Sequence, residues 1–243
     1  MLDHNPLIRK LESLASLSGE ERTLLEQVTA NPVAVAPRKD LIREGEPPRG
    51  VFLIMDGLAC RYKLLPEGGR QVLAYLIPGD FCDLDVALLD AMDHAICAVS
   101  TCQFVLVPGD TMRCLLDDHP GIARALRLAT LVEAATSREW LVNMGRRTCD
   151  QRLAHLLCEL SLRMDAVGRT VTDGREFPLT QADLADATGM TCVHVNRTLK
   201  GFREQSLVEG SGRQLKIRDL PGLRALAAFD PGYLHRRVLQ EAP

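Results

Sequence analysis

The residues whose types and spacing could do chemistry lie near the C-terminal end of the chain. Thr180 and Thr191 each stand just before a helical run, where a hydroxyl can cap the first turn. In the second run, 192–204, Val195, Leu199 and Phe202 share one face at helical spacing. Cys192, Val193, His194, Asn196, Arg197 and Lys200 fall outside that apolar stripe. Thr188-Gly189-Met190 is a three-residue turn, and Gly189 suits its left-handed backbone. Leu207-Val208 and Leu215-Lys216-Ile217 then read as two short strands around Gly210-Ser211-Gly212-Arg213. Together these segments predict a winged helix-turn-helix.

The chemistry such a unit performs is recognition of a polyanion. From 191 to 218 the bases are Arg197, Lys200, Arg203, Arg213, Lys216 and Arg218, against Glu204 and Glu209, a net +4. The whole chain carries −3, so the positive charge is local, as phosphate binding requires. A helix fits the major groove of double-stranded DNA. There Arg197 is suited to a bidentate contact with guanine and Asn196 to adenine. Thr180, Gln181, Thr191 and Lys200 are placed for phosphates, and Arg213 for the wing's contact.

Other candidate chemistry is weaker. The eight cysteines contain no C-x-x-C pair, which disfavours structural zinc and leaves isolated thiols as the expectation. The acids Asp80, Asp83, Asp85, Asp90 and Asp93 suit a hard cation by type, but interleaved Leu84, Val86, Leu88 and Leu89 read as a short helix with a solvated face. His94, His119 and His155 are scattered and read as structural. No nucleophile triad, phosphate loop or paired catalytic carboxylates stands out, so no enzyme activity, metal or cofactor is expected.

The elements that must position the site follow from periodicity. Residues 7–30 read as two helices, the second opened by a Ser18/Glu21 capping box and stopped at Asn31-Pro32. Residues 33–110 break into short apolar runs separated by turn signals, the mark of an all-β barrel or roll. Asp56-Gly57 between two runs predicts a hairpin, and Gly68-Gly69 a second turn. A short helix over 111–118 precedes a long one from about 121 to 143, with a hinge at Gly145-Arg146-Arg147. The long helix is apolar on more than one stripe; the second stripe fits either its own domain or the same helix of a second copy. An amphipathic helix through Leu153–Leu162 and a polar stretch at 169–176 lead to the helix-turn-helix. With no long apolar run and no signal-peptide pattern, the expectation is a cytoplasmic protein without a membrane partner.

The order of roll, long helix and winged helix-turn-helix resembles the Crp/Fnr (cyclic-AMP receptor/fumarate-nitrate regulator) transcription factors. The residues that carry the resemblance are DLIREGEPPRGVFLIMDGLACRY (40–62), IPGDF (77–81) and LTQADLADATGMTCVHVNRTLKGFREQSLV (179–208). It covers roughly residues 7–220. The resemblance implies an α+β fold: a cyclic-nucleotide-binding-like roll (1–120), a dimerisation helix (121–145), a DNA-binding domain (146–220) and a tail (221–243). It also implies a homodimer on a pseudo-palindrome, with RNA polymerase as a partner. An effector, if one exists, would sit by Gly79, Asp80 and Phe81. Cyclic-AMP-binding members pair Gly-Glu with a later Arg-Ser/Thr; here the places hold Gly79-Asp80 and Met92-Asp93-His94-Ala95. No arginine lies between Arg70 and Arg113, so a cyclic phosphate would meet carboxylates and no base. The alternative is a roll that binds a nucleotide or other metabolite and switches DNA affinity. No cysteine precedes Cys60, which argues against the N-terminal iron–sulfur cluster of one branch.

Overall fold

Asn5 starts the first helix by accepting the Leu7 and Ile8 amides on its side-chain oxygen, with Pro6 at the first helical position. That helix is α1, Pro6–Glu12, and α2 follows over Gly19–Val28 behind the Ser18/Glu21 capping box. The computed structural model describes residues 5–84, 86–169, 177–210 and 215–235. Of the expected polar stretch at 169–176, residues 170–176 lie outside those residues, as do the wing tip and the end of the tail.

Eight strands form the roll: β1 Val33–Val35, β2 Asp40–Ile42, β3 Val51–Asp56, β4 Ala59–Leu64, β5 Arg70–Leu76, β6 Phe81–Cys82, β7 Ala95–Ala98 and β8 Cys102–Val107. They make two antiparallel four-stranded sheets, ordered β1-β8-β3-β6 and β2-β7-β4-β5. The hairpin expected at Asp56-Gly57 is therefore corrected. β3 and β4 do not pair, and the turn carries the chain from one sheet to the other. Gly57 has φ +82 and lies so close to Thr101 and Cys102 that a Cβ would strike the Thr101 carbonyl. Gly68 does turn a hairpin, joining β4 to β5. The helix expected in the acidic segment is a single 3-10 turn at Val86–Leu88.

Helix α3 spans Gly109–Asp117 and α4 Pro120–Arg146, a run of 27 residues. The hinge falls at the last of the three expected positions. Gly145 is still helical, and Arg147 is the extended residue, φ −78 and ψ 145. Thr148 then opens α5, Cys149–Ala166, through a capping box with Gln151. Helices α6 (Gln181–Thr188) and α7 (Cys192–Glu204), strands β9 (Val208–Glu209) and β10 (Lys216–Ile217), and α8 (Leu220–Ala227) complete the chain, with a 3-10 turn at Pro231–Leu234.

Two apolar cores hold these elements. One joins α1, the roll, α3 and the first half of α4 around Leu53, Ile54, Ile96, Ile122 and Leu126. The other runs from Cys60, Val72 and Tyr75 of the roll into α5, α6 and α7 through Leu157, Leu184, Leu199 and Phe202. At the back of the second core, His155 is fully buried between the rings of Phe229 and Tyr233. Its Nδ1 lies 3.1 Å from the Asn143 amide nitrogen.

Burial pushes the His155 imidazole down to about 4, with Arg147 adding to the effect and Glu139 opposing it. The folded state therefore holds the neutral ring, while the unfolded chain protonates near 6.5. The stabilisation is complete above that value and is lost as pH falls toward 4. Between pH 6.5 and 5 the parent is expected to lose about 2 kcal/mol from this residue alone. Urea midpoints of the parent and His155→Gln, compared across that interval, check this; equal losses in both would refute it.

Candidate nucleic-acid interface

The interface is built from two helices whose ends are fixed by side chains. Thr180 accepts the Asp183 amide on its hydroxyl at 3.2 Å, and Asp183 accepts the Thr180 amide at 2.9 Å. This reciprocal cap starts α6. Gly189, at φ 62 and ψ 30, ends it; a Cβ there would run into the Met144 methyl. Arg152 of α5 donates to the Thr188 carbonyl at 2.6 Å and so holds the turn from behind. Thr191 starts α7 by accepting the His194 amide at 3.2 Å. Val195, Leu199 and Phe202 are buried as expected, and Thr198 donates to Asp150 of α5 at 2.7 Å.

Every outward position of α7 named from the sequence is exposed: Cys192, Val193, His194, Asn196, Arg197 and Lys200. Val193 is 69% exposed, an apolar side chain set among polar ones. Thr191 is exposed as well, and its hydroxyl also faces the His194 ring at 3.2 Å. Among the described residues, the side chains of Asn196 and Arg197 have no partner. The two acids nearby are already occupied, Glu204 by Lys200 at 3.7 Å and Glu209 by Arg218 at 2.5 Å. β9 and β10 pair antiparallel behind α7 as the stem of the wing. Arg213, expected on the wing, lies outside the described residues.

Thr180 and Gln181 differ from α7. Both are only half-exposed, because α6 packs against the roll. Arg38, between β1 and β2, grips Asp183 with both guanidinium nitrogens at 2.5 and 2.7 Å and reaches the Thr180 hydroxyl at 3.4 Å. Tyr75 donates its hydroxyl to the Asp183 carbonyl at 2.8 Å. Arg70 bridges Asp186 at 3.4 Å and the Cys60 sulfur at 3.1 Å while lying over the Tyr62 ring. Burial alone would raise the Asp183 carboxyl, but Arg38 and Thr180 outweigh it and hold the group below the usual range. The sequence carried the cap at Asp183 but no local sign of Arg38, which lies more than a hundred residues upstream.

The candidate effector residues part company. Asp80 and Phe81 line a cavity of about 100 Å³ between β5, α1, α4 and α5. Gly79 does not line it: its φ of +87 lets the turn pass close to the Pro6 carbonyl of α1. The expected absence of any base near Asp80 is corrected, because bases arrive from other elements. Lys10 of α1 and Arg163 of α5 both bind Asp80, the latter at 2.7 Å. Arg61 of β4 reaches the Phe81 carbonyl at 3.3 Å and pairs with Asp83 and Glu133. Burial works to raise the Asp80 carboxyl, yet Lys10 and Arg163 hold it below its ordinary value. Each of these bases is thus already matched to a carboxylate. Asp83 also pairs with His94 at 3.1 Å, and Asp85 lies outside the described residues. The expectation of isolated thiols is corrected at one pair: Cys60 of β4 and Cys97 of β7 are register partners whose side chains hydrogen-bond to each other. Of the eight, Cys60, Cys82, Cys97, Cys102 and Cys158 are buried, and Cys114, Cys149 and Cys192 exposed.

Comparison with known proteins assigns both halves. Residues 32–119 match the cyclic nucleotide-binding domain, and residues 151–226 match the Crp-like helix-turn-helix domain. That pairing defines a DNA-binding transcription regulator with a ligand-type roll in front of its helix-turn-helix. The chain belongs to the Crp/Fnr family of regulators, which are not enzymes. The nitrogen fixation regulation protein FixK of Bradyrhizobium diazoefficiens is 28% identical over 73% of this chain and 73% of its own length. FixK of Azorhizobium caulinodans is 26% identical over 91% of this chain and 90% of its own. The solved structure of FixK2 from Bradyrhizobium japonicum matches with a TM-score of 0.69 at 26% identity, over 82% of this chain and 98% of that one. Among the described residues, no helix is long and apolar enough to cross a membrane.

Proposed function

We propose that the chain acts as a homodimer that reads a pseudo-palindromic DNA site with α7 of each copy. The observation that carries the reading is the pair Asn196 and Arg197, exposed and unpartnered on a helix whose opposite face is locked into the core. Arg197 reads guanine, Asn196 adenine, and Val193 a thymine methyl; Cys192 and His194 flank them at the groove. Thr180, Gln181, Thr191, Lys200 and Arg213 take phosphates. RNA polymerase is the protein partner of the bound dimer. In this division 1–120 is the sensing half, 121–145 the dimer helix, 146–220 the DNA-binding half and 221–243 a tail.

Selection from a random duplex pool is expected to return a two-fold site with half-site centres about 34 Å apart. Arg197→Ala should weaken binding to that site by about 1–3 kcal/mol and relax the preference at one base in each half. Equal binding of all sequences by the parent, or an Arg197→Ala variant as selective as the parent, would sink the assignment.

The second copy is supported by the outer face of α4. Leu131 is 61% exposed and Leu141 72%, with Val142 beside it and Ala134 between. Their spacing lays an apolar stripe, broken by the exposed Arg138, along the helix. Replacing Leu131 and Leu141 together by Glu should leave the fold intact, yield a monomer in sedimentation, and weaken operator binding by at least about tenfold, the loss of a linked second contact.

A second reading, a roll that senses a small effector, is supported by the cavity at Asp80 and Phe81. Cyclic AMP does not suit it, since Asp80 faces the space and each nearby base is already paired. Thermal melts with cyclic AMP, cyclic GMP and cyclic di-GMP should show no stabilisation. A shift abolished by Asp80→Asn would overturn that view and establish the sensor.

A further inference from the structure

We propose that Arg38 and Asp183 form an autoinhibitory clamp, holding the DNA-binding half on the roll at the end of α6 that a DNA phosphate would occupy. The proposal rests on the reading above that Thr180 and Gln181 meet phosphates.

Three observations carry it. The first is geometry. Asp183 is 1% exposed, and it accepts from both arms of the Arg38 guanidinium, the strongest form of this pairing. The same guanidinium also reaches the Thr180 hydroxyl. A duplex whose backbone approached Thr180 would meet the Pro37-Arg38 turn of the roll in the same space.

The second is strain. Arg38 sits at φ +67, a left-handed backbone that a long side chain rarely adopts. The strand register around it is tight, with the Arg38 amide donating to the Ala98 carbonyl at 2.7 Å and the Ala98 amide to the Lys39 carbonyl at 2.9 Å. A non-glycine residue is kept in this conformation only where its surroundings hold it there against the strain. The only contacts of that side chain among the bonds described are with Thr180 and Asp183 on the other half of the molecule.

The third is reinforcement. Tyr75 and Arg70, both from β5, bind α6 at the Asp183 carbonyl and at Asp186. The clamp therefore sits inside a continuous seam. Asp183 also caps α6 through bonds with Thr180 that do not involve Arg38.

The clamp makes a specific demand on the energetics. If only unclamped molecules bind DNA fully, the apparent affinity falls by the fraction that is open. Removing the Arg38 side chain must then tighten binding without touching any residue of α7.

The test compares the full-length parent with Arg38→Gly and Arg38→Lys on the duplex selected by the parent. Glycine accepts the left-handed backbone, so the variant removes the guanidinium without endangering the fold. Arg38→Gly should bind about three- to tenfold more tightly, with the slope of log affinity against log salt unchanged. Arg38→Lys, which keeps the charge but not the fork, should fall between. A DNA-free measurement runs beside it: hydrogen exchange in α6 and β5 should quicken in Arg38→Gly, with α4 and α5 unaltered. Weaker binding with a salt slope shallower by about one would show Arg38 to be a phosphate contact and overturn the clamp. Unchanged affinity would overturn it equally. If the parent selects no duplex, the DNA-reading proposal fails, and the exchange experiment alone still decides whether Arg38 holds the two halves together.

Discussion

Two carboxylates buried on opposite sides of one seam set the terms for the rest of the molecule. Asp80, in the turn before β6, and Glu159, in the middle of α5, are both removed from water. Buried charges of this kind are tolerated only with good partners. Arg163 serves both, at 2.7 Å from Asp80 and 3.1 Å from Glu159, and donates to the Tyr75 carbonyl as well. Glu159 further accepts from the Trp140 indole and the Tyr233 hydroxyl, so α4 and the end of the chain join the same network. Desolvation still raises the Glu159 carboxyl despite these donors. The network places α5 against the roll, and α5 in turn carries α6 and α7 through Arg152 and Asp150.

An acidic chain presents a basic helix because its charges are segregated. Asp80, Asp83, Asp183 and Glu159 each face a base within the fold, while acids such as Asp93 and Asp110 stay exposed on the roll and α3. Along α7 the exposed side chains include Arg197 and Lys200, with Asn196 and Val193 beside them.

Much of this was legible in local signals. The caps at Ser18, Thr180 and Thr191, the glycine at 189 and the stripe Val195-Leu199-Phe202 all act within four residues, and each stands where its chemistry put it. The cap at Thr148 and Gln151 was equally readable and would have placed the hinge at Arg147. Other features depend on residues far apart in the chain. The Asp56-Gly57 turn has hairpin chemistry, but which sheet the next strand joins is decided by β7 and β8. β6 has only two residues, and β4 mixes Arg61 and Lys63 with its apolar positions, so neither shows a clean pattern. The bases around Asp80 come from α1, β4 and α5, which no window on the sequence brings together.

The sheet order has a consequence for how the chain is made. Val33 pairs with Phe104 and Ile42 with Ile96, so neither sheet closes until the last strands of the roll have left the ribosome. Until then the run Val51–Met55 waits without its neighbour, as a β-prone and uncharged stretch open to association with other nascent chains. The helices of the C-terminal half draw on nearby partners and form quickly by comparison. Synthesis thus delivers the slower-folding half first, with the helical half that docks on it following.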